Sequence, residues 1–216
     1  MTQAFSQSSV LAIKVFFAGA FVLLVAAIAA VRWYMSPAVA EYEPVAQPIP
    51  FSHKHHVGDD GIDCRYCHTS VEKSSFAGMP STQICLSCHS QLFRDAPVLA
   101  PLHASARTDT PIQWNRVYDL PDFVYFDHSI HVNKGVGCVE CHGRIDQMPL
   151  TSRVSSLNMQ WCLQCHRNAP QNIRPLAEVF SMTDTRPLSK QEIMQLNRLY
   201  QLQDTRRLTD CSTCHR

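Results

Sequence analysis

The chain has 216 residues, with 10 Cys and 11 His against only 7 Gly and 17% charged residues. A formal charge of +1 offers no basic surface for the counterion release that drives nucleic-acid binding, and 45% hydrophobic content excludes a disordered chain. So many histidines beside the cysteines argue against a small disulfide scaffold and for metal or haem chemistry.

Residues 15–31 form an uncharged apolar run, extended back to Val10 if Lys14 snorkels towards headgroups. As a helix, residues 10–34 would span roughly 37 Å at about 1.5 Å per residue, enough to cross a bilayer. Residues 1–40 therefore read as an uncleaved signal anchor, with Trp33 and Tyr34 at the interfacial aromatic belt. A cleavable signal peptide competes, with a small-residue site at Ala38-Val39-Ala40, but the run is longer than a signal core and the triplet lies well beyond its end. Lys14 and Arg32 place one charge on each side and leave orientation open. Residues 41–50, with Pro44, Pro48 and Pro50, read as a stiff extended spacer holding the rest off the membrane.

All ten cysteines fall into one pattern, C-x-x-C-H, at Cys64-Cys67-His68, Cys85-Cys88-His89, Cys138-Cys141-His142, Cys162-Cys165-His166 and Cys211-Cys214-His215. Chance would supply roughly 0.02 such motifs in this composition. Two thiols three positions apart can reach the two vinyl groups of one porphyrin as thioethers, and the next histidine then lies under the iron. Structural zinc needs no histidine directly after every second cysteine. A thioredoxin-like pair needs a βαβ setting, and a disulfide framework leaves the five histidines unexplained. The reading is five covalent haem c groups, with His68, His89, His142, His166 and His215 as proximal iron ligands.

Six histidines remain. Phe51-Ser52-His53-Lys54-His55-His56-Val57 and Phe126-Asp127-His128-Ser129-Ile130-His131-Val132 share a Phe-x-His-x-x-His-Val frame, each followed by two haem motifs. This internal duplication divides the chain into haem module one (residues 51–99), a Pro-containing connector (100–125), haem module two (126–170) and a C-terminal helix with the fifth motif (171–216). Histidines three apart share one face of a helical turn, so His53, His56, His128 and His131 are expected as distal ligands of four irons. His55 and His103 lie outside the repeat and are expected on the surface or packed at a haem edge. The fifth iron has no repeat histidine. The candidate ligands are His55, His103, Met148 and Met159, of which the methionines, between the third and fourth motifs, are favoured, and thioether ligation would raise that haem's potential.

The expected fold is mainly α with much irregular structure and very little β, organised by haems more than by a conventional core. One longer helix is legible after Pro187, where Ser189 and Glu192 form a capping box and Ile193, Leu196, Leu199, Tyr200 and Leu202 mark an apolar face. Trp114 and Trp161 are expected against haem faces. Arg65, Arg144, Arg153 and Arg167, close to the motifs, are candidate partners for haem propionates.

The stretches FSHKHHVGDDGIDCRYCHTSVEKSSFAGMP, LPDFVYFDHSIHVNKGVGCVECHGRIDQM and LNMQWCLQCHRNAP resemble the membrane-anchored pentahaem cytochrome c subunit of alternative complex III, a bacterial quinol oxidoreductase. The Phe-x-His-x-x-His frame is shared with the broader cytochrome c3 and c7 group, and the related hexahaem subunit of the quinone reductase complex carries a sixth motif. Resemblance to cytochromes c implies attachment of haem outside the cytoplasmic membrane of a bacterium, hence a single-pass, N-in topology with a periplasmic haem domain. It further implies an electron-transfer subunit with no catalytic residues of its own. Its partners would be an iron-sulfur protein, polytopic membrane subunits, and a monohaem cytochrome c or terminal oxidase. A reductase would need an open iron position that nothing in the motifs marks. A self-contained quinol dehydrogenase, donating to a periplasmic reductase, would have to build a quinol site from one helix.

Overall fold

The computed structural model describes residues 6–34, 41–183 and 186–215, without the side chain of Tyr34. That side chain and the triplet at 38–40 lie outside the described residues. Helix α1, Gln7–Tyr34, has 28 residues and spans about 42 Å, more than the roughly 30 Å hydrocarbon core of a bilayer. It is the one described helix long and apolar enough to cross a membrane.

From Glu41 onward the described residues form one compact unit of short helices joined by turns, and β structure is confined to isolated bridges. Each C-x-x-C pair lies on one helical turn, which brings its two thiols to the same face. The pairs occupy α2 (Cys64–Cys67), the end of α3 (Thr82–His89), α6 (Cys138–His142), α7 (Met159–Arg167) and α10 (Cys211–Cys214). Local chemistry starts several of them. Asp63 and Asp210 N-cap α2 and α10, accepting from the Arg65 and Ser212 amides, and Asn158 caps α7.

Two expectations change. Residues 41–50 are extended but do not stand free: the Tyr42 and Val45 amides donate to the Arg153 and Thr151 carbonyls, Gln47 and Asn115 bond reciprocally, and Ile49 is buried with Leu99 and Leu102. The connector opens with a helix, α4 (Ala100–Thr108), because Pro101 sits in its first turn where no amide bond is lost and Leu102 is fully buried. Trp114 packs on the same cluster beside Cys85 and Leu86. The α5 helix (His128–Asn133) carries the second frame, whereas the first lies on a π-helical turn, Lys54–Asp59.

Near the C-terminus, α8 (Lys190–Leu199) begins with the expected capping box at Ser189 and Glu192. Its packed face is narrower than expected. Tyr200 is buried but Leu199 is 71% exposed, because the helix ends there and position 199 points about 100° away from 200. Tyr200 lies under Gly135, whose φ of +80° requires glycine. The short α9 (Thr205–Leu208) leads into α10.

Candidate haem-binding site

The two duplicated frames adopt one geometry. Phe51 stacks on His56 at 4.4 Å and meets His53 edge-on at 4.9 Å; Phe126 does the same with His131 and His128, both at 4.7 Å. The variable second position is a capping residue in both copies: Ser52 Oγ accepts from the His55 amide at 3.1 Å and Asp127 Oδ1 from the Ile130 amide at 3.3 Å. That role was missed in the sequence, although serine and aspartate are common caps.

Ring nitrogens are oriented in the same repeated way. His56 and His131 each direct Nδ1 to the carbonyl four residues back, Ser52 and Asp127, at 2.9 and 2.7 Å. Nδ1 of His128, His68, His89 and His166 meets the carbonyls of Ser75, Gly78, Leu92 and Leu208 within 3.0 Å. A carbonyl only accepts, so these six nitrogens carry the proton and Nε2 keeps a lone pair, the form that binds a metal. His53 Nδ1 lies 3.0 Å from Thr151 Oγ1. Burial, with the charges of His68 and His56 adding, lowers His53 to about 4. Burial likewise lowers His142 to about 4, with His128, His68 and His53 contributing. Both rings are therefore neutral near pH 7.

Frame and motif histidines face each other in pairs. Ring centroids are 6.1 Å apart for His56 and His89, 6.5 Å for His128 and His142, and 6.2 Å for His131 and His166. Two metal–nitrogen bonds of about 2.0–2.1 Å, each with the roughly 1.1 Å from nitrogen to ring centre, place two imidazoles about 6.3 Å apart across one ion. The pairs repeat between modules: His56 with His89 is the counterpart of His131 with His166. His53 and His68 hold the positions that correspond to His128 and His142.

The surroundings also fit a macrocycle. Only nine apolar side chains are buried among the described residues, while Tyr66, Phe76, Met79, Leu92, Phe93 and Phe123, close to the motifs, are each at least half exposed. The polypeptide alone does not supply a core for a unit of this size, and these apolar surfaces suit porphyrin faces.

Met148 lies beside the first frame, its carbonyl taking the Lys54 amide and its sulfur 3.9 Å from Ser152 Oγ. Met159 is 64% exposed at the start of α7. His215 pairs through its backbone with Val124, and the Phe123 ring stacks on it at 6.0 Å. His55 sits at the surface near Asp59 and Asp60, and His103 Nε2 is buried with no hydrogen-bond partner among the described residues. Arg65 and Arg144 direct their guanidinium groups to Asp63 and Asp146.

Comparison with known proteins agrees with this chemistry. A relative in Nitratidesulfovibrio vulgaris, "Menaquinone reductase, multiheme cytochrome c subunit", is 38% identical over 128 residues, covering 59% of this chain and 57% of that protein. The chain thus spans little more than half of that relative's length. The family described as cytochrome c7 and related cytochrome c matches residues 49–101 and 124–216. With its motifs on single helical turns and its histidine rings facing in pairs, the chain belongs to the cytochrome c7 and related cytochrome c family, multihaem electron-transfer proteins carrying covalent haem c.

Proposed function

We propose that this chain is the pentahaem cytochrome c subunit of an alternative complex III, anchored by α1 with its N-terminus inside and its haem unit outside the cytoplasmic membrane. The observation that carries the reading is the duplicated frame, with three facing histidine pairs at 6.1–6.5 Å. Haem c, when bound, supplies a one-electron couple at its iron. The chain's residues do the rest. The cysteine pairs would hold each macrocycle. His53 with His68, His56 with His89, His128 with His142, and His131 with His166 would hold four irons and leave no position on them for a substrate.

The fifth iron would be held by His215, and Met159 is favoured over Met148 as the second residue. The α7 helix packs against α9 beside the fifth motif, whereas Met148 is engaged at the first frame. Electrons would arrive from iron-sulfur and polytopic quinol-oxidising subunits and leave to a monohaem cytochrome c or terminal oxidase. The count of five motifs supports this assembly, and the similarity to a menaquinone reductase subunit supports a quinone-linked membrane complex in general.

The test is purification of the tagged full chain from its native membrane in mild detergent, with haem stoichiometry, low-temperature EPR and carbon monoxide binding on the same sample. Five haems, no carbon monoxide adduct, and copurified iron-sulfur and polytopic subunits are expected. A high-spin haem that binds carbon monoxide would overturn the sealed-wire reading. Quinol oxidation by the isolated chain would favour a self-contained dehydrogenase.

A further inference from the structure

We propose that the five haem motifs follow one another in space in the order second, first, third, fourth, fifth, and that redox partners meet the chain at its two ends, the second and the fifth. The inference rests on the haem assignment above but is not contained in it, because the chain order of the motifs is different.

Each neighbour relation has its own contact. The first and second motifs touch directly: Tyr66, between Cys64 and Cys67, is hydrogen-bonded to Ser87, between Cys85 and Cys88, at 2.8 Å. They also share the first frame, since His53 and His56 lie on one turn. The first and third motifs meet through a reciprocal exchange between modules. The segment after the third motif holds the first frame, with Thr151 on His53 and the Met148 carbonyl taking the Lys54 amide. The loop after the first motif holds the second frame, with the Ser75 carbonyl 2.9 Å from His128 Nδ1 and the Ser74 carbonyl taking the Ser129 amide. Gly58 is pressed so closely on the Asp146 carbonyl that a Cβ there would lie 2.2 Å from it.

The third and fourth motifs share the second frame through His128 and His131. The fourth and fifth are joined where the Leu208 carbonyl, three residues before Cys211, meets His166 Nδ1 at 2.8 Å.

The two ends differ from the middle in exposure. Cys88 and Cys211 are the exposed cysteines; the other eight are partly buried. Leu92 and Phe93, just after the second motif, are 58% and 68% exposed. A donor protein oxidised by one electron at one end and an acceptor reduced by one electron at the other would satisfy the balance.

The test is an EPR-monitored redox titration of the full chain in detergent, with His56→Met, His53→Met, His128→Met and His131→Met made singly. Methionine raises the potential of its own haem, and the variant signal identifies that haem. Its changed charge at a given potential then shifts the midpoints of its neighbours. His56→Met should shift one other haem, and each of the remaining three variants should shift two. A His56→Met variant that shifts two haems, or a His128→Met variant that shifts one, overturns the order. If a variant's own signal does not change, the ligand assignment itself fails. As a measurement free of variants, a water-soluble paramagnetic relaxation agent should enhance relaxation of two of the five wild-type signals. Equal enhancement of all five overturns the exposed-ends reading.

Discussion

Replacing Phe51 by leucine isolates the part of the frame that holds the iron-facing rings. Leucine keeps an apolar side chain but removes one stacked contact, on His56 at 4.4 Å, and one edge-on contact, on His53 at 4.9 Å. Aromatic pairs of this kind contribute about 0.5–1.5 kcal/mol each beyond area burial, so the two frame histidines lose about 1–3 kcal/mol of restraint. At tenfold per 1.4 kcal/mol, the population with an open axial position rises roughly 5- to 150-fold. The assay is carbon monoxide difference spectroscopy of the reduced full chain, with EPR of the oxidised form to identify the haems affected. Phe51→Leu should loosen the haems of the first and second motifs and leave the third and fourth unchanged. Phe126→Leu should do the reverse and by less, since Phe126 is 38% exposed and water screens part of its contact. Unchanged carbon monoxide uptake in both variants, or a Phe51→Leu effect on the second module's haems, would refute the claim that each phenylalanine orients its own pair.

Thr151→Val should move the midpoint potential of the first motif's haem most, with smaller coupled shifts at its two neighbours, because it removes the hydroxyl beside His53 Nδ1 and with it a partner that tunes the basicity of the ring. Gly78→Ala should disturb the same haem from its other side: Gly78 has a φ of +86°, a Cβ would lie 2.7 Å from Ser70 Oγ, and its carbonyl fixes His68. An EPR titration in which that signal moves furthest checks both. Gly135→Ala should destabilise the folded unit by about 2–5 kcal/mol, from a left-handed backbone and a Cβ placed 2.5 Å from the Arg174 carbonyl. A denaturant midpoint within error of wild type would contradict it. Asp127 is held below the usual carboxylate range first by the Ser129 hydroxyl, with the Ile130 amide adding. The folded state therefore favours the ionised form, and this contribution is present above about pH 4 and lost as pH falls through the lower folded value. The stability difference between wild type and Asp127→Asn should shrink on acidification below about pH 4, whereas Ser52→Ala, at the matching cap, should cost an amount that does not change with pH in that range.

The haem chemistry was legible in the sequence because it is local. Two cysteines three apart lie on one helical turn, and the histidine follows on that turn or directly after it, as His68 and His215 do, so the spacing itself points to haem attachment. The apolar length of α1, the Ser189 and Glu192 capping box and the duplicated Phe-x-His-x-x-His frame are equally local and equally readable. The bound state of residues 41–50 was not, because proline spacing reports stiffness but not the Thr151 and Arg153 carbonyls that receive that segment. Helix α4 was hidden by Pro101, which reads as a breaker unless its place in the first turn is known. The acceptors that set the histidine tautomers are backbone carbonyls, such as that of Leu208 for His166, 42 positions away, and every residue type carries one.

What the sequence by itself determined is therefore the class of cofactor, covalent haem c, and the repeat, both written in short local patterns. What only the tertiary structure decided is which histidine rings come together, His56 with His89, His128 with His142 and His131 with His166, and which loops hold each frame. Those relations depend on two modules exchanging their loops, through Thr151 on His53 and Ser75 on His128, and long-range packing of that kind leaves no periodic mark on the chain.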